Sequence, residues 1–153
     1  IWKQVATSEG QINSNYGYLL FSDDNGNQYD YALKALLADK NTRRACMVYT
    51  RPGIQTEYNT AGMSDFICTN AVSYFIRNNR LNCVVQMRSN DIWAGYRNDY
   101  AWQKWVTEKL HTDLRKQYGD LEMGDIIWNA SSLHMYERNF GLIRKYNKLG
   151  LYK

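Results

Sequence analysis

Apolar residues recur along this chain with two different periods, and each period indicates a type of secondary structure. Residues 28–40 and 99–116 repeat apolar side chains every three or four positions, which is the spacing of an amphipathic helix. The apolar positions of these segments are Tyr29, Leu33, Leu36, Leu37, Trp102, Trp105, Val106, Leu110 and Leu114. The pattern therefore predicts two helices that each pack one face against a core.

Shorter apolar runs between these helices are typical of β-strands. Residues 66–76 and 81–87 flank the turn-like tetrapeptide Arg77-Asn78-Asn79-Arg80 and predict two paired strands. Further elements are predicted as strands at residues 43–50, 124–128 and 133–136 and as a final helix at residues 137–148. Pro52 and its neighbours end the first of these strands. The mixture predicts an α+β fold with a sheet built largely from the middle of the chain.

Composition favours a single domain over residues 1–153. The sequence has one proline, no low-complexity tract and 44% hydrophobic residues, enough for a core. No apolar run approaches the length that crosses a bilayer, so we expect no membrane association. The net charge of +4 weakly favours anionic partners.

The three cysteines, Cys46, Cys68 and Cys83, are too few and too scattered for a disulfide framework or a zinc cluster. We therefore expect a reducing, cytoplasmic location. Cys46 and Cys83 lie inside apolar runs, which predicts that both belong to the core. Cys68 is most simply a small buried hydrophobe. It becomes a candidate nucleophile only if nearby positive charge stabilises its thiolate.

Arginines supply the candidate charge. Arg88 and Ser89 follow a predicted strand, and a guanidinium with a hydroxyl suits a phosphate group. A surface ion pair between Arg88 and Asp91 is an equally good interpretation of the local sequence. Arg43 and Arg44 are similarly ambiguous, because adjacent arginines are usually a solvated turn.

The two histidines lie in different surroundings. His134 and Tyr136 would point to one face of a strand, where their polar tips suit a sugar hydroxyl. A partly buried polar pair explains them at least as well. His111 lies in a charged helical stretch, so we expect it to face solvent. No metalloprotease, P-loop or dinucleotide-binding motif occurs, and we expect no metal.

In chain order, these residues resemble the thymidylate synthase superfamily. The matching set is Arg43-Arg44, Cys68, Arg88-Ser89-x-Asp91, Gly95, Asp99 and His134-x-Tyr136. Additional matches are Ile1-Trp2, Asn15-Tyr16-Gly17 and Gly124-Asp125-Ile126-Ile127-Trp128. The resemblance covers nearly the whole chain and implies a thymidylate synthase-like fold, with a mixed or antiparallel sheet and packed helices.

One position separates the branches of this superfamily. Thymidylate synthases carry asparagine where this chain has Asp99, although the adjacent Asn98 leaves a one-residue shift open. Five segments resemble the deoxycytidylate hydroxymethylases of T4-like bacteriophages: residues 49–52, 63–66, 88–91, 97–104 and 131–134. A carboxylate accepts from the cytosine amino group and, when protonated, donates to N3. Asparagine suits uracil, whose hydrogen-bonding pattern is reversed.

The resemblance implies roles for the candidate residues. Arg88 and Ser89 would bind the nucleotide 5′-phosphate. Arg43 and Arg44 would reach the same phosphate from the other subunit of a homodimer.

For the rest of the nucleotide, the resemblance implies that Asn90 belongs to the substrate-binding set and that Asp91 lies near pyrimidine and folate. His134 and Tyr136 would hold the deoxyribose 3′-hydroxyl. Cys68 and Asp99 would be catalytic.

The implied reaction is one-carbon transfer from 5,10-methylenetetrahydrofolate to C5 of dCMP. Addition of the Cys68 thiolate to C6 would make C5 nucleophilic, and water addition would give 5-hydroxymethyl-dCMP. The choice of water over hydride comes from the resemblance alone. Family members have further chain upstream of the segment that resembles Ile1-Trp2, including a phosphate-binding basic residue and a catalytic glutamate. We therefore expect an N-terminally incomplete domain of marginal stability.

Two other functions fit less well. The same chemistry on dUMP or CMP is possible in principle, and Asp99 argues against dUMP only. A non-catalytic nucleic-acid-binding module is allowed by the charge and the 14% aromatic content. Its basic residues are spread among acidic ones, so we expect no direct nucleic-acid binding.

Overall fold

The computed structural model describes residues 2–150, which begin with three helices and contain both helices and strands thereafter. The helices are α1 (Trp2–Val5), α2 (Tyr16–Phe21), α3 (Gln28–Ala38), α4 (Ile54–Glu57), α5 (Tyr96–Leu114) and α6 (Phe140–Leu149). The strands are β1 (Cys46–Val48), β2 (Thr69–Arg77), β3 (Arg80–Met87), β4 (Asn90–Asp91), β5 (Glu122–Ala130) and β6 (Leu133–His134). Ile1, one of the residues that carried the family resemblance, lies outside the described residues.

Four strands form the main sheet in the order β1-β2-β3-β5. The first three pair antiparallel, whereas β3 and β5 run parallel. Strands β4 and β6 form a second, two-stranded parallel sheet. This arrangement confirms the predicted α+β fold with a mixed sheet. Parallel neighbours need a long connection, and here α5 supplies it between β3 and β5.

The turn between β2 and β3 fixes the register of the central hairpin. Asn78 and Asn79 have φ angles of 50° and 59°, and Arg77 pairs directly with Arg80. Two successive residues with positive φ are typical of the type I′ turn that joins two-residue hairpins, and asparagine tolerates this conformation well. The hairpin predicted from this tetrapeptide is confirmed.

The two faces of the main sheet differ sharply. The covered face packs against α3 and α5 and carries the buried side chains Met47, Val72, Tyr74, Leu81, Cys83 and Val85. The opposite face carries Cys46, Val48, Ser73, Gln86, Ile127 and Asn129, all exposed in this chain. We call this second surface the open sheet face. Val48 and Ile127, at 47% and 45% exposure, are its exposed large apolar side chains.

The helices confirm most of the apolar stripes. Tyr29 and Leu36 of α3 and Leu110 and Leu114 of α5 are buried. Trp105 is different, because it is 48% exposed and stacks on Trp102 with ring centroids 5.4 Å apart. The prediction that Trp105 lies on the core-facing side of this helix is therefore wrong.

Several other predictions need correction. Cys46 was predicted to be a core residue and is exposed, since β1 turns it to the open sheet face. Cys83 is buried as predicted. His111 does not simply face solvent, because it is half-buried and its Nε2 lies 2.9 Å from the Leu121 carbonyl oxygen. Tyr136 lies beyond the short strand β6, which ends at His134.

None of the helices within residues 2–150 is both long enough and apolar enough to cross a bilayer.

Candidate active site

Cys68 and Arg88 are neighbours because of the hairpin. Cys68 lies immediately before β2 and Arg88 immediately after β3, and the antiparallel register pairs Thr69 with Met87. The Arg88 backbone N–H donates to the Cys68 carbonyl oxygen at 3.0 Å. Two residues twenty positions apart are therefore brought side by side at one end of the sheet.

The guanidinium of Arg88 is held in a fixed position. Its Nε donates to the Ile67 carbonyl oxygen at 2.9 Å, and its Nη2 donates to the Phe66 carbonyl oxygen at 2.7 Å. The group also lies 4.4 Å from the centroid of the Phe66 ring. Nη2 is 3.7 Å from the Cys68 sulfur. Arg88 contacts the cysteine loop, so the alternative ion pair with Asp91 does not form here.

The Cys68 thiol is half-buried, and the groups around it shift its pKa in opposite directions. Burial raises the pKa of Cys68 above that of a free thiol, Arg88 lowers it, and the carboxyl groups of Asp99 and Asp65 raise it again. Without a ligand, the thiol is therefore favoured over the thiolate. Loss of negative charge at Asp99 would shift this balance toward the nucleophilic form.

Asp91 holds the turn that leads into α5. One carboxylate oxygen accepts the Trp93 N–H at 3.2 Å, and the other accepts the Ala94 N–H at 3.0 Å. Gly95 follows directly, and an added Cβ there would lie only 3.1 Å from the Asp91 carbonyl oxygen. The close approach of these backbone segments favours glycine at this position.

Asp99 projects from the first turn of α5. Burial raises the pKa of its carboxyl group to about 6, while a hydrogen bond from Asn90 acts in the opposite direction. The Asn90 Nδ2 donates to Asp99 Oδ2 at 2.8 Å, and the Trp128 Nε1 donates to Asn90 Oδ1 at 3.2 Å. A carboxyl group with this pKa can exchange a proton near neutral pH.

His134 and Tyr136 come together without sharing a strand. β6 pairs with β4 so that His134 lies opposite Asp91. The rings of His134 and Tyr136 meet edge to face, with centroids 5.2 Å apart. His134 Nδ1 lies 3.2 Å from the Ser132 hydroxyl. Their proximity agrees with the expectation from alternation, since Tyr136 continues in extended conformation just beyond β6.

Arg43 and Arg44 lie elsewhere. Both are exposed in the segment before β1, and within residues 2–150 no side-chain hydrogen bond or ion pair engages either guanidinium. Arg44 continues the alternation of exposed side chains toward Cys46 and Val48 on the open sheet face. In a single chain, these arginines do not join the cluster around Cys68.

Sequence reasoning missed the parts played by Tyr16 and Trp128. Both occur in matching segments, but nothing in their own spacing suggested a contact. The Tyr16 hydroxyl accepts hydrogen bonds from Thr69, from the N–H at 3.3 Å and from Oγ1 at 3.0 Å. Burial raises the pKa of Tyr16, so the phenol stays neutral. Tyr16 thereby anchors the backbone next to Cys68.

The cluster combines a thiol, a guanidinium and a carboxyl group that can titrate, which suits nucleophilic attack on an anionic ligand. In the described part of the chain, no group of three or more His, Cys, Asp or Glu side chains is arranged to hold a metal ion.

The chain matches known proteins in sequence and in fold. The family model described as Thymidylate synthase matches residues 1–148. The chain is 52% identical to the deoxycytidylate 5-hydroxymethyltransferase of Enterobacteria phage T4, an alignment that covers 98% of this chain and 62% of that protein. It is 26% identical to the thymidylate synthase of Francisella philomiragia, over 91% of this chain and 53% of that protein.

The chain thus spans about three fifths of the phage relative. Among solved structures, thermostable thymidylate synthase A from Bacillus subtilis superposes with a TM-score of 0.71 at 23% identity, covering 97% of this chain and 52% of that one. At that identity the superposition is evidence for the fold alone.

Proposed function

Because this chain belongs to the thymidylate synthase family, we propose that it takes part in one-carbon transfer to C5 of dCMP, which gives 5-hydroxymethyl-dCMP. The observation that carries the choice of base is the half-buried Asp99 carboxyl group, which acts on the Cys68 thiol and has a pKa of about 6. The similarity to a phage deoxycytidylate 5-hydroxymethyltransferase supports the same choice.

Asp99 would recognise the pyrimidine. Cytosine offers an acceptor at N3 and a donor at N4, so a carboxyl group that carries one proton can pair with both positions. Uracil offers the opposite pattern. If the proton is held on the oxygen that faces N3, the site rejects uracil, because mismatched polar groups would stay unsatisfied.

Cys68 would be the nucleophile that adds to C6 of the pyrimidine and makes C5 electron-rich. Pairing with cytosine would also help the nucleophile, since a proton shared with Asp99 removes part of the negative charge that raises the pKa of Cys68. Binding of the correct base would thereby favour the thiolate.

Arg88 and Ser89 would bind the 5′-phosphate, and Arg43 and Arg44 would reach it from a second subunit. The fixed guanidinium of Arg88 and the two free, exposed arginines support this division. His134 and Tyr136, whose rings meet edge to face, suit the deoxyribose 3′-hydroxyl.

5,10-Methylenetetrahydrofolate would supply the one-carbon unit when bound. Asp91 fits an N–H-rich ring such as the pterin, because each of its oxygens accepts a single backbone N–H and keeps a further lone pair. Loss of the C5 proton and departure of tetrahydrofolate would open the transferred carbon to water. Water addition there would give the hydroxymethyl group, and Cys68 would then leave C6 as the thiolate.

A homodimer through the open sheet face would allow Arg43 and Arg44 to play this role. That face exposes Val48 and Ile127, which are large apolar side chains of the kind that interfaces bury. Arg44 lies on the same side of the extended segment before β1, so pairing two open faces would bring it toward the partner.

Tritium release from [5-³H]dCMP in the presence of methylenetetrahydrofolate tests the proposed function. We expect release from dCMP and none from [5-³H]dUMP, with Cys68→Ala abolishing the signal. Cys46→Ser provides a matched control, since it changes an exposed cysteine on the open sheet face.

Release from dUMP in place of dCMP would assign the chain to thymidylate synthase chemistry instead. Release from neither nucleotide under conditions where dCMP binds would contradict the catalytic proposal. Unlabelled CMP as a competitor measures the preference for the deoxyribose sugar.

A further inference from the structure

The orientation of the Asn90 amide is dictated by its neighbours. An indole N–H can only donate, so the atom of Asn90 that faces Trp128 must be the oxygen. The amide NH₂ must then face Asp99, to which it donates at 2.8 Å. Asn90 is only 2% exposed, so solvent cannot substitute for either partner.

Trp128 is itself held in place from the helix that carries Asp99. The Tyr96 ring meets the indole edge to face at 5.4 Å between centroids, and the Tyr100 ring lies 6.1 Å away. On its other side, β5 pairs Trp128 with Val85 in the main sheet. The indole N–H therefore has one orientation, and so does the amide that accepts from it.

A neutral carboxyl group alone does not distinguish cytosine from uracil. With the proton on one oxygen, it donates to N3 of cytosine and accepts from N4. With the proton on the other oxygen, it accepts from N3 of uracil and donates to O4. The two forms differ only in the position of the proton, so selectivity requires something that makes the oxygens unequal.

Asn90 makes them unequal. The Asn90 amide N–H donates to Asp99 Oδ2, and an unprotonated, carbonyl-like oxygen accepts a hydrogen bond better than a protonated one. The carboxyl proton is therefore favoured on Asp99 Oδ1. We propose that Trp128 and Asn90 are positioning residues that fix which Asp99 oxygen carries the proton, and that this asymmetry selects cytosine over uracil. The proposal rests on the proposed function, in which Asp99 pairs with the pyrimidine.

In this arrangement Oδ1–H donates to cytosine N3, while Oδ2 accepts from both Asn90 and the N4 amino group. Uracil would need the proton on Oδ2, where Asn90 already donates. The other titratable groups that act on this site are Cys68 and Tyr16, with Arg88 beside the cysteine. None of them contacts the Asn90 amide, so the asymmetry comes from Trp128 and Asn90 alone.

Trp128→Phe tests the proposal, because it removes the indole N–H and keeps an aromatic ring. The dissociation constants of dCMP and dUMP are measured by calorimetry at pH 6 to 8. We expect the preference of the wild-type protein for dCMP to fall by about tenfold, mainly because dUMP binds better once the amide can rotate. Asn90→Ala should lower the preference similarly.

Trp102→Phe is the matched control. It also removes an indole N–H, which here donates at 3.1 Å to the Tyr49 hydroxyl and not to Asn90, and it should keep the wild-type preference. If Trp128→Phe and Asn90→Ala weaken both nucleotides equally, the two residues are merely structural and the proposal is wrong. If the wild-type protein itself prefers dUMP or neither base, the proposed function fails as well.

A wild-type measurement guards against variants that do not fold. In ¹⁵N-labelled protein, the Asn90 side-chain NH₂ resonances should shift with pH at the midpoint of the Asp99 titration, and dCMP should move them. Side-chain resonances that ignore the Asp99 titration would overturn the proposal independently of any substitution.

Discussion

The Arg88 guanidinium lies 3.7 Å from the Cys68 sulfur while donating to the carbonyl oxygens of the two residues before that cysteine. One side chain therefore shapes the loop that presents the thiol and supplies the positive charge beside it. The electrostatic and structural contributions of Arg88 can be separated by experiment.

Replacing Arg88 should make Cys68 a poorer nucleophile. Arg88→Gln removes the charge that lowers the pKa of Cys68, whereas Arg88→Lys retains a charge. We expect the pH midpoint of iodoacetamide labelling at Cys68 to rise in Arg88→Gln and to change less in Arg88→Lys. Peptide mass spectrometry follows Cys68, and complete labelling of Cys68 after denaturation of each variant serves as the control. An unchanged midpoint in Arg88→Gln would contradict the assignment.

Asp99 should make the protein less stable as the pH rises. Its pKa is raised to about 6 by burial, so the folded state binds this proton more tightly than the unfolded chain does. The stabilisation is complete below the unfolded-state pKa, near pH 4, and is lost as the pH rises through about 6, a change of about 3 kcal/mol. Asp99→Asn should flatten this part of the pH dependence of the melting temperature.

The matched control for that experiment is Asp120→Asn, which changes an exposed aspartate. It should follow the wild-type curve between pH 4 and 7. A wild-type slope that survives in Asp99→Asn would show that another group is responsible.

Tyr16→Phe should destabilise the loop that carries Cys68. The substitution leaves the Thr69 N–H and hydroxyl without their acceptor, and an unsatisfied buried donor costs about 1–3 kcal/mol. Urea unfolding measures the loss. Tyr58→Phe is the control, since the described residues offer its hydroxyl no hydrogen-bond partner and its ring contact with Phe66 would remain. Equal stability of the two variants would contradict the anchoring role.

Gly124→Ala should weaken the parallel pairing of β3 and β5. An added Cβ would lie 2.6 Å from the Leu81 carbonyl oxygen and would also collide with the Asn82 side chain. Because the Leu81 oxygen belongs to the backbone, the strand must move, and we expect a loss of about 1–3 kcal/mol. Gly119→Ala meets nothing within 4 Å and should be neutral. Thermal unfolding of the two variants provides the comparison.

Ile127→Asp should prevent dimerisation through the open sheet face. A charge placed among the apolar residues of an interface would be buried without a partner. Sedimentation velocity should show a monomer for this variant and a dimer for the wild-type chain. Ile92→Asp is a close control, because Ile92 has nearly the same exposure, 43% against 45%, but lies outside the main sheet. A dimer that persists in Ile127→Asp would place the interface elsewhere.

The sequence alone determined the elements in which local chemistry dominates. The helical spacing of Leu110 and Leu114 and the paired asparagines at 78 and 79 predicted α5 and the central hairpin, because periodicity and turn preference are properties of a few adjacent residues. The order of motifs also indicated the family. The candidate residues Cys68, Arg88 and Asp99 could be chosen from that order, before any contact between them was known.

Only the tertiary structure decided which faces are covered and which distant groups meet. Cys46 was predicted to be a core residue, but within residues 2–150 no helix covers its face of β1, and it is exposed. The hydrogen bonds that link Trp128 to Asn90 and Asn90 to Asp99 depend on how β5 and α5 pack around β4. Trp128 and Asn90 are 38 residues apart in the sequence. Such contacts arise from the register and packing of whole elements, which no local pattern encodes.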